Sequence, residues 1–319
     1  MPWEGIHIMR IIDSAAVATA LTPGRLLPAL ERMFCEGCTA PVRHHHTVSV
    51  PGAADATLLL MPAWSAGRYL GVKLATVFPS NADRSQPTVS AAYLLMAGLT
   101  GTALAMIDGD ELTARRTAAT SALAARFLVR TDARTLLIIG TGRIARELAH
   151  WHTATNPRLT RVLIWGRTPE RAEHVASELA ACGVAARAVT DLASAASSAD
   201  VISSATLASE PLIRGEWIRP GMHVDLVGGF THAMREADDE LIRKARLFAD
   251  TREGVLAQAG DLLVPIQRKV INAADVVGLD ALCRGSDPGR RTHADITVFK
   301  SVGAALEDLA AAILVYESI

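Results

Sequence analysis

The chain has 319 residues, half of them hydrophobic, and its 32 basic and 33 acidic side chains leave a formal net charge of −1. At about 150 residues per domain this length allows two domains with sizeable cores, and the even charge balance excludes bulk binding to nucleic acid or to an anionic membrane surface. No run reaches the roughly 18 apolar residues of a membrane span. The start, Met1-Pro-Trp-Glu-Gly-Ile-His7, lacks the basic-then-apolar order of a secretory signal, so a cytoplasmic setting is expected.

The amino-terminal part predicts an α+β segment. A helix over residues 16–35 precedes strands over 42–50, 56–61, 69–77 and 103–107, joined by Gly/Pro turns. Cys35 and Cys38 form a single C-x-x-C. With no further zinc ligands nearby and no thioredoxin-like frame, they are expected to be free thiols, as are Cys182 and Cys283. His44-His-His46 would put His44 and His46 on one strand face; without an identifiable third ligand this reads as a polar strand surface and not a metal site. Asp108-Gly-Asp-Glu111 reads as a turn and helix cap, and residues 112–129 predict a long helix.

From residue 135 strand and helix alternate. Residues 135–139 predict a buried strand, Gly140, Thr141 and Gly142 a tight turn, and residues 143–153 a helix. This is the order a dinucleotide pyrophosphate requires. Gly140 permits the turn, Gly142 lets the backbone approach the phosphates, and Ala145 allows close helix–strand packing. The helix start offers free N–H groups and a partial positive charge to the anion. The plainer alternative is a glycine turn in an ordinary α/β unit. Strands over 162–165, 186–189, 200–205, 223–227 and 246–249, with a helix over 169–181 and a short helix capped by Asp191, predict a doubly wound parallel sheet. Asp250-Thr-Arg-Glu253 reads as a helix start and residues 284–291 as a loop. A last apolar helix over 301–316 is expected to pack back on the first domain, making it discontinuous.

The end of the second strand of this sheet discriminates between nicotinamide cofactors. An acid there binds the ribose 2′-hydroxyl of NAD, whereas an arginine accommodates the 2′-phosphate of NADP. The segment Trp165-Gly166-Arg167-Thr168-Pro-Glu-Arg171 has no acid at its tip. Arg167 and Arg171 could grip a phosphate, with Thr168 adding a hydroxyl, so NADPH is expected in preference to NADH. The alternative is a solvated helix start with two surface arginines.

Three basic residues stand in apolar or glycine-rich surroundings: Arg43 in Pro41-Val-Arg43, Lys73 inside Tyr69-Leu-Gly-Val-Lys-Leu-Ala-Thr-Val77, and Arg116 in Leu112-Thr-Ala-Arg-Arg-Thr-Ala118. A lysine in an apolar strand is costly unless it snorkels or has a partner. When desolvated it can lose its proton near neutral pH, which suits it to proton transfer. An arginine grips a carboxylate with two prongs. One lysine with two arginines suggests a small anionic substrate.

Taken together, Pro41-Val-Arg43, Gly71-Val-Lys-Leu-Ala-Thr-Val-Phe-Pro79, Gln86-Pro-Thr88, Leu112-Thr-Ala-Arg-Arg-Thr-Ala-Ala119, Gly140-Thr-Gly142 and Phe299-Lys-Ser-Val-Gly303 resemble the ornithine cyclodeaminase/μ-crystallin family from about residue 40 to the C-terminus. The resemblance implies a homodimer. It also implies a substrate-binding and dimerisation domain, residues 1–121 with 301–319, and a Rossmann NAD(P)-binding domain over 122–300. It gives Arg43 and Arg116 the substrate carboxylate, sets Lys73 beside the reacting carbon and nitrogen, and puts Thr88 at the substrate–cofactor junction. Arg143 and Ile144 match residues whose backbone meets the pyrophosphate, and Ala205, Thr206, Val227 and Ser301 match further cofactor contacts.

One departure bears on the subfamily. Cyclodeaminases of this family carry an aspartate just after a glycine pair following the fifth strand, whereas Val227-Gly-Gly-Phe-Thr-His232 has Phe230 there. Phenylalanine cannot accept a proton. This segment and Met234-Arg-Glu-Ala-Asp238 look more like the family's ketimine reductases. Those enzymes reduce 1-pyrroline-2-carboxylate to L-proline and sometimes 1-piperideine-2-carboxylate to L-pipecolate, in settings such as hydroxyproline breakdown. The expected activity is therefore reduction of a cyclic C=N bond in a small imino acid by NADPH, with NADH as second donor. The alternatives are ornithine cyclodeaminase or alanine dehydrogenase activity, or a non-catalytic NADPH-binding protein of crystallin type.

Overall fold

The computed structural model describes residues 8–84 and 86–319. The reading of the start, Met1 to His7, lies outside the described residues. The chain divides into two compact units, Met1–Arg116 with Ala304–Ile319, and Thr117–Gly303.

The first unit is built on a six-stranded sheet. Its elements are β1 (Arg10–Ile12), α1 (Ser14–Ala20), α2 (Pro23–Glu36), β2 (His44–Val48), β3 (Ala56–Ser65), β4 (Tyr69–Val77), β5 (Val89–Ala97), β6 (Ala103–Asp108), the first part of α3 (Gly109–Leu128) and the C-terminal helix (Ala305–Glu317). The strand order is β1-β6-β5-β4-β3-β2; only β1 runs parallel to its neighbour. The helix expected over 16–35 is two helices. Thr22 is held extended before Pro23, which opens α2 at the position where a missing N–H costs nothing. Asp13 caps α1 by accepting the N–H of Ala16 at 2.9 Å. Two strands were absent from the sequence expectation. β1 has three residues, and β5 is rich in alanine and leucine, so neither carries a strong strand signature. The strand expected over 42–50 is shorter, β2 running from His44 to Val48 with Arg43 just before it.

The two faces of this sheet differ. The C-terminal helix packs on β3, β4 and β5 and buries Met61, Ala63, Lys73, Ala75, Tyr93 and Leu95. On the opposite face Leu60 pairs with Leu74, Val72 with Leu94, Leu94 with Met106, and Met106 with Ile11. This apolar row is left open: Ile11 is 80% exposed and Met106 41%. The edge strand β2 carries the three histidines and is exposed along its whole length.

The second unit is an eight-stranded, wholly parallel sheet in the order β13-β12-β14-β11-β10-β7-β8-β9. In chain order it comprises β7 (Thr135–Ile139), α4 (Arg143–Thr155), β8 (Arg161–Trp165), α5 (Pro169–Ala181), β9 (Ala186–Ala188), α6 (Leu192–Ser198), β10 (Val201–Ser204), β11 (His223–Leu226), α7 (Asp239–Lys244), β12 (Arg246–Ala249), α8 (Arg252–Gln258), α9 (Gly260–Gln267), β13 (Val276–Gly278), α10 (Leu279–Cys283) and β14 (Thr297–Lys300). The strand reversal that defines a doubly wound sheet falls between β7 and β10, whose carboxyl ends flank the glycine turn. β13 and β14 go beyond the six strands read from the sequence. Both are short and buried, and β14 is followed by the last helix, which was expected from residue 301 and begins only at Ala305. Gly303, at φ 76°, turns the chain between them. No helix among the described residues is long and apolar enough to cross a membrane.

Candidate active site

The glycine turn has the geometry of an anion cradle. β7 is fully buried and delivers Gly140 at φ 126°, a region closed to most side chains. A β-carbon at 140 would stand 2.6 Å from the carbonyl oxygen of Ala205. Ala145 is fully buried one turn along α4, as close helix–strand packing demands. Gly142 is the N-cap of α4, exposed, and a β-carbon there would meet no protein atom within 4 Å. No side chain caps α4 and its first turn holds no acid, so Thr141, Gly142, Arg143 and Ile144 present backbone to an incoming anion. A dinucleotide pyrophosphate fits this cradle. A β-carbon at Gly166, just after β8, would lie 2.5 Å from the Thr141 methyl, so a side chain there would displace Thr141 in the turn. Arg167, Thr168 and Arg171 follow, all exposed, at the start of α5.

The remaining expected cofactor residues cluster at the carboxyl ends of β10, β11 and β14. Ala205, Thr206 and Val227 are half-buried, whereas Ser301 is buried. Their loops are tied down by acids. The Glu236 carboxylate accepts from Ser204 Oγ at 2.5 Å, Thr206 N and Oγ1 at 2.9 Å, Gly228 N at 2.7 Å and Gly229 N at 3.2 Å. Asp261 accepts the N–H groups of Glu236 and Ala237 and lies 2.9 Å from Lys300 Nζ, both residues fully buried. Burial raises the Glu236 carboxyl above its usual range, with Lys300 opposing the shift. Asp250, read from the sequence only as part of a helix start, accepts from Ser301 Oγ at 2.9 Å, Val302 N at 2.8 Å and Gly303 N at 2.7 Å.

The first unit carries the cationic cluster. Lys73 on β4 and Arg116 on α3 are each only 3% exposed. Both meet the first turn of the C-terminal helix. Lys73 Nζ lies 2.9 Å from Asp308 Oδ1 and 2.8 Å from Oδ2. Arg116 Nε lies 2.7 Å from Asp308 Oδ1, and Arg116 Nη1 donates to Glu307 at 2.6 Å. Tyr93 faces Lys73 across β4 and β5, and its hydroxyl fills the space beside Gly71 that a side chain there would need. Burial lowers Lys73 to about 8, with the charges of Arg116 and Arg43 adding to the shift and Asp308 opposing it. Arg43 is half-buried and within electrostatic reach of Lys73. Thr88 is half-buried at the turn into β5, its carbonyl accepting the N–H of Phe78 at 2.8 Å.

The model of the ornithine cyclodeaminase/mu-crystallin family matches residues 13–319. The chain belongs to that family. It is 42% identical over 259 residues to the Delta(1)-pyrroline-2-carboxylate reductase of Paracoccus denitrificans, covering 81% of this chain and 82% of the relative. It is 36% identical to the ketimine reductase mu-crystallin of Rattus norvegicus, covering 92% and 91%. The solved Delta(1)-pyrroline-2-carboxylate reductase of Thermococcus litoralis, in complex with NADH and L-proline, superimposes with a TM-score of 0.90 at 31% identity, covering 97% of each chain.

In this family member the residue after Gly228-Gly229 is Phe230, which packs half-buried against the core of the second unit. The sequence assigned no functional role to Glu236, Asp250, Asp261, Lys300, Glu307 or Asp308. Lys300 offered a signal, a charge inside the apolar strand Thr297–Lys300, the same kind that drew notice to Lys73. A further buried acid, Asp225 on β11, accepts from Ser203 Oγ at 2.6 Å and Ser121 Oγ at 3.0 Å, and pairs with His152 Nε2 at 3.2 Å. Among the described residues no group of His, Cys, Asp and Glu is disposed to hold a metal ion.

Proposed function

We propose that this protein reduces the C=N bond of a cyclic ketimine carboxylate, 1-pyrroline-2-carboxylate to L-proline and, as a second substrate, 1-piperideine-2-carboxylate to L-pipecolate. The observation that carries the reading is the pairing of Lys73 and Arg116 in one buried cluster within a chain so similar to pyrroline-2-carboxylate and ketimine reductases. Phe230 supports reduction over cyclodeamination, because it offers no base for amine loss.

When bound, the nicotinamide cofactor supplies the hydride. The glycine cradle holds its pyrophosphate through backbone N–H groups, and Arg167, Thr168 and Arg171 receive the 2′-phosphate, favouring NADPH over NADH. Arg116 and Arg43 grip the substrate carboxylate and fix the ring, and such positioning supplies a large part of the rate. Lys73 Nζ donates a proton to the imine nitrogen, so that C2 accepts hydride and the nitrogen ends as a secondary amine. With Lys73 near 8, its ammonium form dominates at neutral pH while remaining acidic enough to give up a proton.

The protein works as a homodimer in this reading. The open apolar row from Leu60 to Ile11 supports it, since a second copy laying down the same row would cover it. The expected setting is cytoplasmic imino-acid metabolism. Absorbance at the reduced-nicotinamide band, followed with five- and six-membered ketimines and both coenzymes, tests the function. NADPH oxidation with either ketimine is the expected result. Ammonia release from L-ornithine without ketimine-dependent oxidation would replace the reading.

A further inference from the structure

Asp308 holds an unusual place among the buried acids of the first unit. It stands in the first turn of the C-terminal helix, fully buried, where the helix dipole favours a negative charge. Its Oδ1 accepts a hydrogen bond from Lys73 Nζ at 2.9 Å and lies 2.7 Å from Arg116 Nε, while its Oδ2 stands 2.8 Å from the same ammonium as an ion-pair contact. One carboxylate therefore contacts two of the three cations to which the proposed function gives the substrate, Lys73 and Arg116. An ammonium has three N–H donors in fixed tetrahedral directions. With one of these donated to Asp308 Oδ1 and the Cε–Nζ bond fixing another direction, the two N–H groups left for a ligand point where the helix sets them and do not swivel on the lysine stem.

We infer that Asp308 is a positioning residue for the reduction: it aims the remaining Lys73 N–H groups and keeps that ammonium charged until the imine takes its proton. This rests on the ketimine-reductase reading. The charged and titratable groups around Lys73 are Asp308 and Glu307 from the C-terminal helix, Arg116 from α3, Tyr93 from β5 and Arg43 ahead of β2. Arg116 and Arg43 both oppose charge on Lys73, and Asp308 favours it, so removing the Asp308 charge tips the balance toward the neutral amine.

The test uses full-length protein carrying Asp308→Asn or Asp308→Glu, with the pH dependence of kcat measured beside NADPH affinity. In Asp308→Asn the pH above which kcat declines is expected to move about one unit or more toward acid, and kcat at neutral pH to fall by at least about tenfold, with NADPH affinity kept. Asp308→Glu retains the charge but displaces the oxygens; it should keep the alkaline limit and still lose turnover. An unmoved alkaline limit in the first variant, or full turnover in the second, overturns the inference. If wild-type protein oxidises no NADPH with either ketimine, the functional reading has failed and a second readout decides Asp308 by itself. The Lys73 side-chain carbon shift next to Nζ, followed by NMR across pH on specifically labelled protein, should begin to titrate at lower pH in Asp308→Asn than in wild type. An identical onset in the two proteins overturns the inference.

Discussion

Gly140 passes so close to Ala205 that a β-carbon on the glycine would stand 2.6 Å from the alanine carbonyl oxygen. Its φ of 126° is also closed to alanine. Gly140→Ala is therefore expected to distort the turn, lowering both melting temperature and cofactor affinity. Gly142 makes the contrast, because its side-chain space holds no protein atom. Gly142→Ala should leave the melting temperature of the free protein within about 2 °C while weakening NADPH binding by about tenfold or more, since only a ligand would meet the added methyl. Unchanged affinity in the second variant would remove the cradle from cofactor binding.

Lys73→Ala is expected to lower kcat by about 100-fold or more, the usual contribution of a positioned proton donor, with NADPH binding spared. Arg116→Ala should raise the ketimine KM steeply. Because Glu307 and Asp308 would then lose a buried partner, it should also lower stability by several kcal/mol. Near-normal kcat in the lysine variant would take Lys73 out of the mechanism.

Arg167 and Arg171 are both exposed, so neither contributes much to the fold. Replacing both by alanine should raise the KM for NADPH by about tenfold while leaving that for NADH nearly constant, as expected for residues that meet only the 2′-phosphate. Equal changes for the two coenzymes would exclude this role.

Glu236→Ala would strip the acceptor from Ser204, Thr206, Gly228 and Gly229 and leave Lys300 with Asp261 alone. Loss of a partner in a buried ionic network costs about 3–5 kcal/mol. Urea unfolding should register that loss, and weaker cofactor binding should accompany it because the same loops carry Thr206 and Val227.

His223 is fully buried, with Nδ1 2.9 Å from Thr297 Oγ1. Burial drives it down from 6.5 to about 3, against the pull of Asp225. The folded state therefore keeps this imidazole neutral while the unfolded chain protonates it below pH 6.5. Its stability contribution is fully present above that pH. Between there and pH 3 it declines by up to about 1.4 kcal/mol per unit as acid is added. His223→Asn should flatten that part of the acid-unfolding curve; an unaltered slope would mean that other groups govern it.

Local signals carried much of this architecture. The run Thr135–Ile139 followed by Gly140-Thr-Gly142 is legible because a buried strand, a turn and a helix each leave their mark within a few residues. Lys73 is legible because a charge in an apolar strand is conspicuous. Its partner was not, since Asp308 lies 235 positions away in a helix that reads simply as apolar. Glu236 and Asp261 look like ordinary loop and helix-start acids until the fold brings them to Lys300. The break at Thr22 is marked by Pro23, a residue inside the single helix expected over 16–35.

The first unit is closed by the last helix of the chain, and this sets an order on biosynthesis. Lys73 is made 235 residues before Asp308, and Arg116 is made 191 residues before Glu307. At ordinary translation rates a ribosome needs roughly 10–50 s to cross the longer interval. Until the last helix emerges, these two cations destined for burial lack the counter-ions it carries, and the face of β3, β4 and β5 lacks its cover. The contiguous segment Thr117–Gly303 can fold meanwhile, so the nascent protein emerges with its middle finished and its beginning waiting for its end.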